Sequence, residues 1–199
     1  MANLIFDVNG TLTEHRKPIS HSTRMFIETL AKYHTVILTS GVEYAAIKEK
    51  LQTTCAKVHA VYGSAGNEKY VKDKIVYSKR VYFSTIEAEW IDNIINGDVR
   101  IEPHRMVLTN VESKEETCDK IEAKYSHLSC CINTSGDEIH VLRKDCDKTQ
   151  IVYEYAGAMF FTDNPNKYSY DYTLAQRLVT RKVDGPSDLP QLCQDLIKL

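Results

Sequence analysis

The stretch that decides the fold is Asn3-Leu4-Ile5-Phe6-Asp7-Val8-Asn9-Gly10-Thr11. Residues 3–8 are mostly apolar, and a short apolar run bounded by a turn is typical of a strand buried on both faces. Gly10 predicts a turn directly after this strand. We therefore expect Asp7 at the carboxyl end of a buried strand.

The alternation of strand and helix continues after this first strand. The predicted elements are a helix over 22–33 that Ser22 or Thr23 caps, a strand over 35–39, a helix over 43–52 and a strand over 58–62. Such alternation through short turns is typical of a parallel sheet in an α/β domain. Gly63 and Gly66 mark a loop that leads into a hairpin near 69–77.

The pattern changes at about residue 82. The next predicted elements are a helix over 85–96, strands over 99–102 and 105–111, a helix over 114–125, and strands over 128–133 and 138–143 with a turn at Ser135-Gly136. Helix–strand–strand thus occurs twice, which predicts a smaller α+β unit. The α/β pattern returns with a helix over 149–156, a strand over 158–162 and a final helix near 188–198. We predict an α/β core domain over 1–81 and 145–199, with an inserted α+β domain over 82–144.

Composition and charge exclude several classes of protein. The chain has 199 residues, of which 43% are hydrophobic, enough for a sizeable core. Its 25 basic and 27 acidic residues give a formal net charge of −2, so we expect no nucleic-acid partner. No apolar run reaches membrane-spanning length, and the apolar run at the amino terminus is too short for a secretory signal. We therefore expect no membrane partner.

The six cysteines and seven histidines lack the spacing of metal ligands. No C-x-x-C pair occurs, and the neighbouring Cys130 and Cys131 lie in a predicted strand, where successive side chains point to opposite faces. We therefore expect reduced thiols in a cytoplasmic protein and no zinc site.

Polar side chains gather where the predicted parallel strands end, and in such sheets ligands bind beyond the carboxyl ends of the strands. Lys148 opens the helix before the strand over 158–162. The other residues at this edge are Asp7, Asn9, Gly10, Thr11, Ser40, Gly41, Asp163 and Asp171. Carboxylates suit Mg²⁺, which can bridge to a phosphate oxygen. Glycine-turn amides, a serine hydroxyl and a lysine suit the other phosphate oxygens, and a carboxylate can attack phosphorus to form an aspartyl phosphate.

The stretch Phe6-Asp7-Val8-Asn9-Gly10-Thr11 resembles the first motif of the haloacid dehalogenase superfamily, Asp-x-Asp-Gly-Thr. Ser40 matches the second motif and Lys148 the third, and the fourth is matched by Asp163 and Asp171. Within the superfamily, the chain is most similar to the branch of eukaryotic-type phosphomannomutases and sugar phosphatases with an α/β cap. The similarity extends to the segments 39–44, 145–149 and 185–188.

The resemblance implies a Rossmann-like core, an inserted cap that closes on the substrate, and a role for each residue at the predicted edge. The implied catalytic residues are Asp7 as nucleophile, Asn9 and Lys148. The implied phosphate-binding residues are Gly10, Thr11, Ser40, Gly41 and Lys148. The implied Mg²⁺ ligands are Asp7, the backbone carbonyl of Asn9, Asp163 and Asp171. The implied function is a phosphatase for a small phosphorylated metabolite or sugar phosphate.

Asn9 departs from the first motif, which normally has aspartate at this position. That aspartate is a general acid and base, whereas an asparagine amide exchanges no proton near neutral pH. General acid–base catalysis typically contributes about 10²–10⁴-fold, so we expect slow or absent turnover of alkyl phosphate esters, with less effect on good leaving groups. A naturally weakened or non-catalytic member, an engineered Asp→Asn change, and an enzyme with another proton carrier all fit the sequence.

The predicted cap departs from phosphomannomutases in the residues that recognise the substrate. Their Ser-x-Asp pair, which contacts the sugar, aligns with Ile139 and Val141. The arginines available for a second phosphate are Arg100, Arg105 and Arg143. A phosphatase for smaller phosphates is therefore favoured over a mutase. His104, His140 and Arg105 either line the inner surface of the cap or lie on the outer surface.

Ordinary structural roles are the alternative for each of these residues. Asp7 and Ser40 could belong to simple turns. Lys148 could be a solvated surface lysine, and Asp171 could cap a helix. Thr162 replaces the glycine usual before the fourth motif, which predicts little change. A phosphate- or Mg²⁺-binding module without turnover, with a regulatory or protein-binding role, is the alternative function, and the sequence contains no signal for an oligomeric state.

Overall fold

The computed structural model describes residues 1–15, 17–133 and 137–197. Its strands are β1 Asn3–Asp7, β2 Thr35–Thr39, β3 Ala60–Gly63, β4 Glu68–Val71, β5 Lys74–Ser78, β6 Asp98–Glu102, β7 Arg105–Thr109, β8 Leu128–Ile132, β9 Ile139–Arg143, β10 Met159–Thr162 and β11 Val179–Lys182. Its helices are α1 His21–Tyr33, α2 Tyr44–Leu51, α3 Thr54–Lys57, α4 Thr85–Ile94, α5 Lys114–Lys124, α6 Thr149–Glu154, α7 Tyr172–Ala175, α8 Leu189–Leu192 and α9 Gln194–Ile197. The predicted α/β fold class is confirmed.

A seven-stranded sheet has the order β11-β10-β1-β2-β3-β4-β5. Neighbouring strands from β11 to β3 are parallel, and β4 and β5 extend the sheet as an antiparallel hairpin. β1 lies at the centre of the parallel part, and its residues Leu4, Ile5 and Phe6 are fully buried. The apolar run around Asp7 therefore forms a strand covered on both faces, as parallel strands usually are.

The two faces of this sheet have separate apolar layers, because successive side chains of a strand point in opposite directions. Phe6 belongs to the layer that includes residues of α1 and α2, and it stacks on Phe161 with ring centroids 4.6 Å apart. Ile5 belongs to the opposite layer, with Ile151 of α6. No helix among the described residues is both long and apolar enough to cross a membrane.

A second sheet is antiparallel, with the order β6-β7-β9-β8. Its own apolar core contains Ile91 of α4, Ile121 of α5 and Val141 of β9. This arrangement agrees with the predicted helix–strand–strand repeat. The domain bounds, 1–81 with 145–199 and 82–144, stay a prediction, and the predicted turn at Ser135-Gly136 lies outside the described residues.

Two predictions about helix ends are wrong. Ser20, rather than Ser22 or Thr23, caps α1, because its hydroxyl accepts the amide of Thr23 at 3.1 Å. The predicted final helix is divided into α8 and α9, since the backbone of Cys193 between them leaves the helical conformation. Residue 198, where that helix was predicted to end, lies outside the described residues.

Candidate active site

Three carboxylates meet at the carboxyl end of β1. Asp7 ends this strand, and Asp163 follows the parallel neighbour β10 directly, so the topology brings the two together. Asp171 reaches the same place from the start of α7. One oxygen of each carboxylate lies within 4.8 Å of the others, an arrangement that could hold a metal ion.

Lys148 is a buried lysine that joins two of these carboxylates. Its side chain is 1% exposed, and its Nζ lies 3.0 Å from Asp7 Oδ1 and also donates to Asp171. Burial acts to lower the pKa of Lys148, but the charges of Asp171 and Asp7 outweigh it and raise the pKa above its ordinary value. Lys148 is therefore a charged lysine within the site, and the alternative of a solvated surface lysine is wrong.

One ammonium does not balance three carboxylates. Burial and the nearby Asp171 raise the pKa of Asp7, and burial raises the pKa of Asp163. Both shifts follow from negative charge that is held away from water and that Lys148 compensates only in part. A divalent cation with oxygen ligands would supply the missing positive charge, so the donor set fits Mg²⁺.

Gly10 and Thr11 position Asp163. Thr11 Oγ1 donates to Asp163 Oδ1 at 3.2 Å and accepts the amide of Asp163 at 2.9 Å. Gly10 has a φ of +89°, and a Cβ at this position would lie 2.2 Å from Asp163 Oδ2. Only glycine allows both this backbone conformation and this close approach. The phosphate-binding role of the two residues stays a prediction.

Thr162 holds Asp171. Its hydroxyl donates to Asp171 Oδ2 and accepts the amide of Asn164 at 3.1 Å. Asp171 directly precedes the first residue of α7, but its side chain makes no capping hydrogen bond there. Asp171 therefore occupies the N-cap position of α7 without a side-chain cap, and the replacement of glycine by Thr162 supplies a contact that the sequence did not indicate.

The side chain of Asn9 is held at both ends. Its Nδ2 donates to Ser40 Oγ at 3.0 Å, and its Oδ1 accepts a hydrogen bond from Lys50 Nζ of α2. Ser40 is fully buried after β2. Gly41 follows, and a Cβ there would lie 2.8 Å from the ring of Tyr170. The segment after β2 thus contacts both Asn9 and the loop that carries Asp171.

A cleft of about 540 Å³ lies between these residues and the second sheet. Arg105 of β7 and His140 of β9 line its far wall, beside Tyr170. Arg105 Nη1 donates to the Tyr170 hydroxyl at 3.1 Å, and that hydroxyl also bonds to His140 Nδ1. Arg105 and His140, whose location the sequence left open, therefore face the cleft, while His104 lines an adjoining hollow.

The second sheet presents few groups that could bind another phosphate. Ile139 and Val141 are fully buried in its apolar core, on the face opposite His140. Arg100 pairs with Glu102, and Arg143 pairs with Asp145, at 2.8 and 3.2 Å respectively. The two residues that align with the sugar-contacting pair of the phosphomannomutases therefore do not face the cleft.

Three solved structures share this architecture. An IMP-nucleotidase from Plasmodium falciparum with IMP bound superimposes with a TM-score of 0.73 at 14% identity, over 100% of this chain and 68% of that one. A trehalose-6-phosphate phosphatase from Aspergillus fumigatus gives 0.65 at 12% identity, over 100% and 93%. A subclass IIB sugar phosphatase of the haloacid dehalogenase superfamily gives 0.64 at 13% identity, over 90% and 85%. The chain has the haloacid dehalogenase fold.

The resemblance to the haloacid dehalogenase superfamily is thus confirmed at the level of the fold. In sequence, a phosphomannomutase from Dendrobium officinale is 23% identical in an alignment 233 positions long, which covers 96% of this chain and 92% of that protein. No protein-family model matches the sequence. Because one fold hosts many functions, the function has to be argued from the site.

The haloacid dehalogenase fold brings together all the residues predicted from strand ends, although their catalytic, metal-binding and phosphate-binding roles stay predictions. Among the described residues, Lys50 and Tyr170 also contact them and were not predicted as site residues. Lys50 lies on a helix with the pattern of an ordinary surface lysine, and Tyr170 precedes Asp171 without a motif of its own. Only the packing of distant segments reveals their contacts.

Proposed function

We propose that the chain is a Mg²⁺-dependent phosphatase that acts through an aspartyl phosphate on a small phosphorylated metabolite or sugar phosphate, with activity weakened at Asn9. One observation carries the proposal. Asp7 lies at the end of β1 with the buried ammonium of Lys148 3.0 Å away and two further carboxylates within 4.8 Å. A cytoplasmic location is part of the proposal, supported by six cysteines without C-x-x-C spacing.

Asp7 is the group suited to attack phosphorus. Lys148 is fixed by Asp171 and keeps a positive charge beside the attacking oxygen, where it stabilises the charge on the transferring phosphoryl group. The groups that would hold Mg²⁺ are Asp7, Asp163, Asp171 and the Asn9 carbonyl. When bound, the ion supplies Lewis-acid polarisation of a phosphoryl oxygen.

Ser40 is placed to bind the phosphate. Its Oγ accepts hydrogen bonds from Asn9 Nδ2 at 3.0 Å and from the Val42 amide at 3.4 Å. Both contacts use the oxygen as acceptor, so the hydroxyl proton of Ser40 can be donated to a phosphate oxygen.

The far wall of the cleft favours a substrate with one phosphate. The guanidinium of Arg105 lies 2.8 Å from Glu102, and His140 bonds to Glu138 at 3.0 Å. Because each of these groups is paired with a glutamate, the described residues of this wall offer no excess positive charge to a second phosphate. The same side chains can donate hydrogen bonds to substrate hydroxyl groups and accept hydrogen bonds from them. This supports a phosphatase acting on monophosphates over a mutase acting on bisphosphates.

A paired phosphatase assay with Mg²⁺ tests the proposal. The protein and its Asn9→Asp variant are compared on an aryl phosphate and on a panel of sugar and small-metabolite phosphates. We expect the variant to hydrolyse alkyl esters faster by about 10²–10⁴-fold, because a general acid and base is restored, with a smaller gain on the aryl ester. Asp7→Asn, combined with Asn9→Asp, serves as the inactive control. If both proteins are inactive while Mg²⁺ and phosphate still bind, the phosphatase function is wrong.

A phosphate- or Mg²⁺-binding module without turnover is the second candidate. The observation that favours it is the Asn9 amide, which is tied to Lys50 and Ser40 and cannot transfer a proton. This candidate predicts that Mg²⁺ and inorganic phosphate stabilise the fold in a thermal shift assay, and that Asn9→Asp gains no activity.

A further inference from the structure

The Asn9 amide belongs to a chain of three side chains, Lys50–Asn9–Ser40, that engages both of its polar ends. Lys50 is half-buried and reaches Asn9 from α2 along the wall of the cleft. Held in this way, the amide neither gives a proton to a leaving oxygen nor takes one from water. Position 9 therefore assists neither half of a phosphatase cycle.

The first half of the cycle then depends on the leaving group. Without a general acid the leaving group departs as an anion. An alcohol has a pKa near that of water, far above neutral pH, and is a poor leaving anion. A carboxylic acid has a pKa of about 4, so the carboxylate of an acyl phosphate leaves without a proton. The site is therefore matched to mixed phosphoric–carboxylic anhydrides and mismatched to alkyl esters.

The second half of the cycle needs a group that takes a proton from the attacking water. Three groups beside Asp7 are held by other hydrogen bonds. Lys148 donates to Asp7 and to Asp171. Asp163 is held by Thr11, and Asp171 is held by Lys148 and by the Thr162 hydroxyl. Position 9, where the superfamily motif supplies the base, therefore supplies none for water attack on an aspartyl phosphate at Asp7.

We propose that this protein is a phosphoryl acceptor, loaded at Asp7 by acyl phosphates, that retains the group as a long-lived aspartyl phosphate. The inference rests on the proposed nucleophile and metal site and replaces repeated turnover by a single loading. In the loading step, a carboxylate oxygen of Asp7 forms a bond to phosphorus and the bond between phosphorus and the acyl oxygen breaks. The electron pair of that bond leaves with the donor carboxylate, and no proton is transferred.

Intact mass spectrometry of the full chain, mixed with acetyl phosphate and Mg²⁺, tests the inference. We expect one phosphoryl group per chain, no loading by glycerol 3-phosphate, and no loading of Asp7→Asn. Asn9→Asp should shorten the lifetime of the phosphoryl group by at least about 10²-fold, because it restores a base. Asn166→Asp adds a carboxylate at an exposed position near the site and should leave the lifetime unchanged.

The possible failures are distinguishable. The inference is overturned if Asp7→Asn is loaded equally, or if the protein loses its phosphoryl group as fast as Asn9→Asp does. No loading, together with hydrolysis of alkyl esters by Asn9→Asp, overturns the inference and leaves the proposed phosphatase site standing. No loading, an inactive Asn9→Asp and no stabilisation by Mg²⁺ overturn the inference and the proposed function together.

Discussion

Gly10 is the residue that lets a carboxylate approach the turn after β1. Replacing it by alanine should displace Asp163, because the new Cβ would lie 2.2 Å from Oδ2, in a backbone conformation with φ of +89°. We expect Gly10→Ala to lose most of the rise in melting temperature that the proposed Mg²⁺ site predicts, since Asp163, a proposed ligand, moves. Thermal unfolding with and without Mg²⁺ measures this effect.

Gly157 provides the matched control for this prediction. Its φ is +75°, but no atom lies within 4 Å of the position that a Cβ would take. Gly157→Ala should therefore show only the backbone cost of a left-handed residue, about 1–2 kcal/mol, and keep its full response to Mg²⁺. An equal response to Mg²⁺ in the two variants would contradict the assignment of Asp163 as a ligand.

Lys148 should contribute strongly to stability through its buried contacts with Asp7 and Asp171. Lys148→Met leaves two buried carboxylates without their cation, and breaking a buried ion pair typically costs about 3–5 kcal/mol. Because the variant has more uncompensated negative charge, it should gain more from Mg²⁺ than the unchanged protein does. Urea unfolding at several Mg²⁺ concentrations measures both effects.

Lys120 provides the comparison, since it pairs with Glu116 at 2.7 Å on the surface and is 58% exposed. Lys120→Met should cost only about 0.3–0.5 kcal/mol, as exposed helical pairs do, and should not alter the response to Mg²⁺. If Lys148→Met proves as mild as Lys120→Met, the buried lysine does not hold the carboxylates together.

At the residue scale, the sequence predicted those site residues whose place follows from the end of a predicted strand. Asp7, Ser40 and Asp163 each lie at the carboxyl end of a strand, and parallel strands end at one edge, so their convergence follows from the topology. The positions of Lys50 and Tyr170 do not follow from the end of a predicted strand. Their contacts depend on how α2 and the loop before α7 pack, and neither helical periodicity nor spacing contains that information.

At the scale of elements, Tyr170 joins the second sheet to the first. Arg105 Nη1 of β7 donates to its hydroxyl at 3.1 Å and to the Gly41 carbonyl at 3.4 Å. Since the hydroxyl accepts from Arg105, its own proton goes to His140 Nδ1, while His140 Nε2 bonds to Glu138 at 3.0 Å. This network requires a neutral His140.

The network predicts that stability falls in mild acid. Burial and the charge of Arg105 lower the pKa of His140, against the opposing effect of Glu138 and Glu102. Above a pH of about 6.5, the ordinary pKa of histidine, His140 is neutral in both the folded and the unfolded chain. Its contribution to the free energy of unfolding is then fully present. As the pH falls further, the unfolded chain takes up a proton that the folded chain does not, so the free energy of unfolding decreases.

Urea unfolding from pH 7.5 down to pH 5 should show this loss, and His140→Gln should show less of it. His59→Gln, at an exposed position before β3, should keep the full pH dependence. A pH profile that is unchanged by His140→Gln would mean that the link between the sheets does not depend on the charge of His140.

The elements themselves were largely predictable, because apolar periodicity identifies a strand or helix before its ends are known. The ends depended on contacts that periodicity does not show. β3 occupies Ala60–Gly63 rather than 58–62, because its pairing with β2 begins where Ala60 meets Ile37. The start of α1 likewise depends on the hydrogen bond from the Thr23 amide to the Ser20 hydroxyl, which the apolar pattern does not show.

At the scale of the whole molecule, the site is shared unequally between the two sheets. Asp7 ends β1 of the seven-stranded sheet. Asp163 and Asp171 belong to the segment between β10 of the same sheet and α7. The second sheet supplies Arg105 and His140 to the cleft and has its own apolar core. A bound cation should therefore stabilise the first sheet directly and the second only through the contacts between them.

Native-state hydrogen exchange can separate these two effects. With Mg²⁺ at about 100 times its dissociation constant, a site in the native state adds about 2.7 kcal/mol, which slows exchange through unfolding about 100-fold. We expect this slowing for amides of β1, β2 and β10 and little change for β7, β8 and β9, because local units can open independently. Asp163→Asn, which removes a ligand, should abolish the slowing. Equal slowing in both sheets would mean that they unfold as one unit, and the predicted division into 1–81 with 145–199 and 82–144 would then have no energetic counterpart.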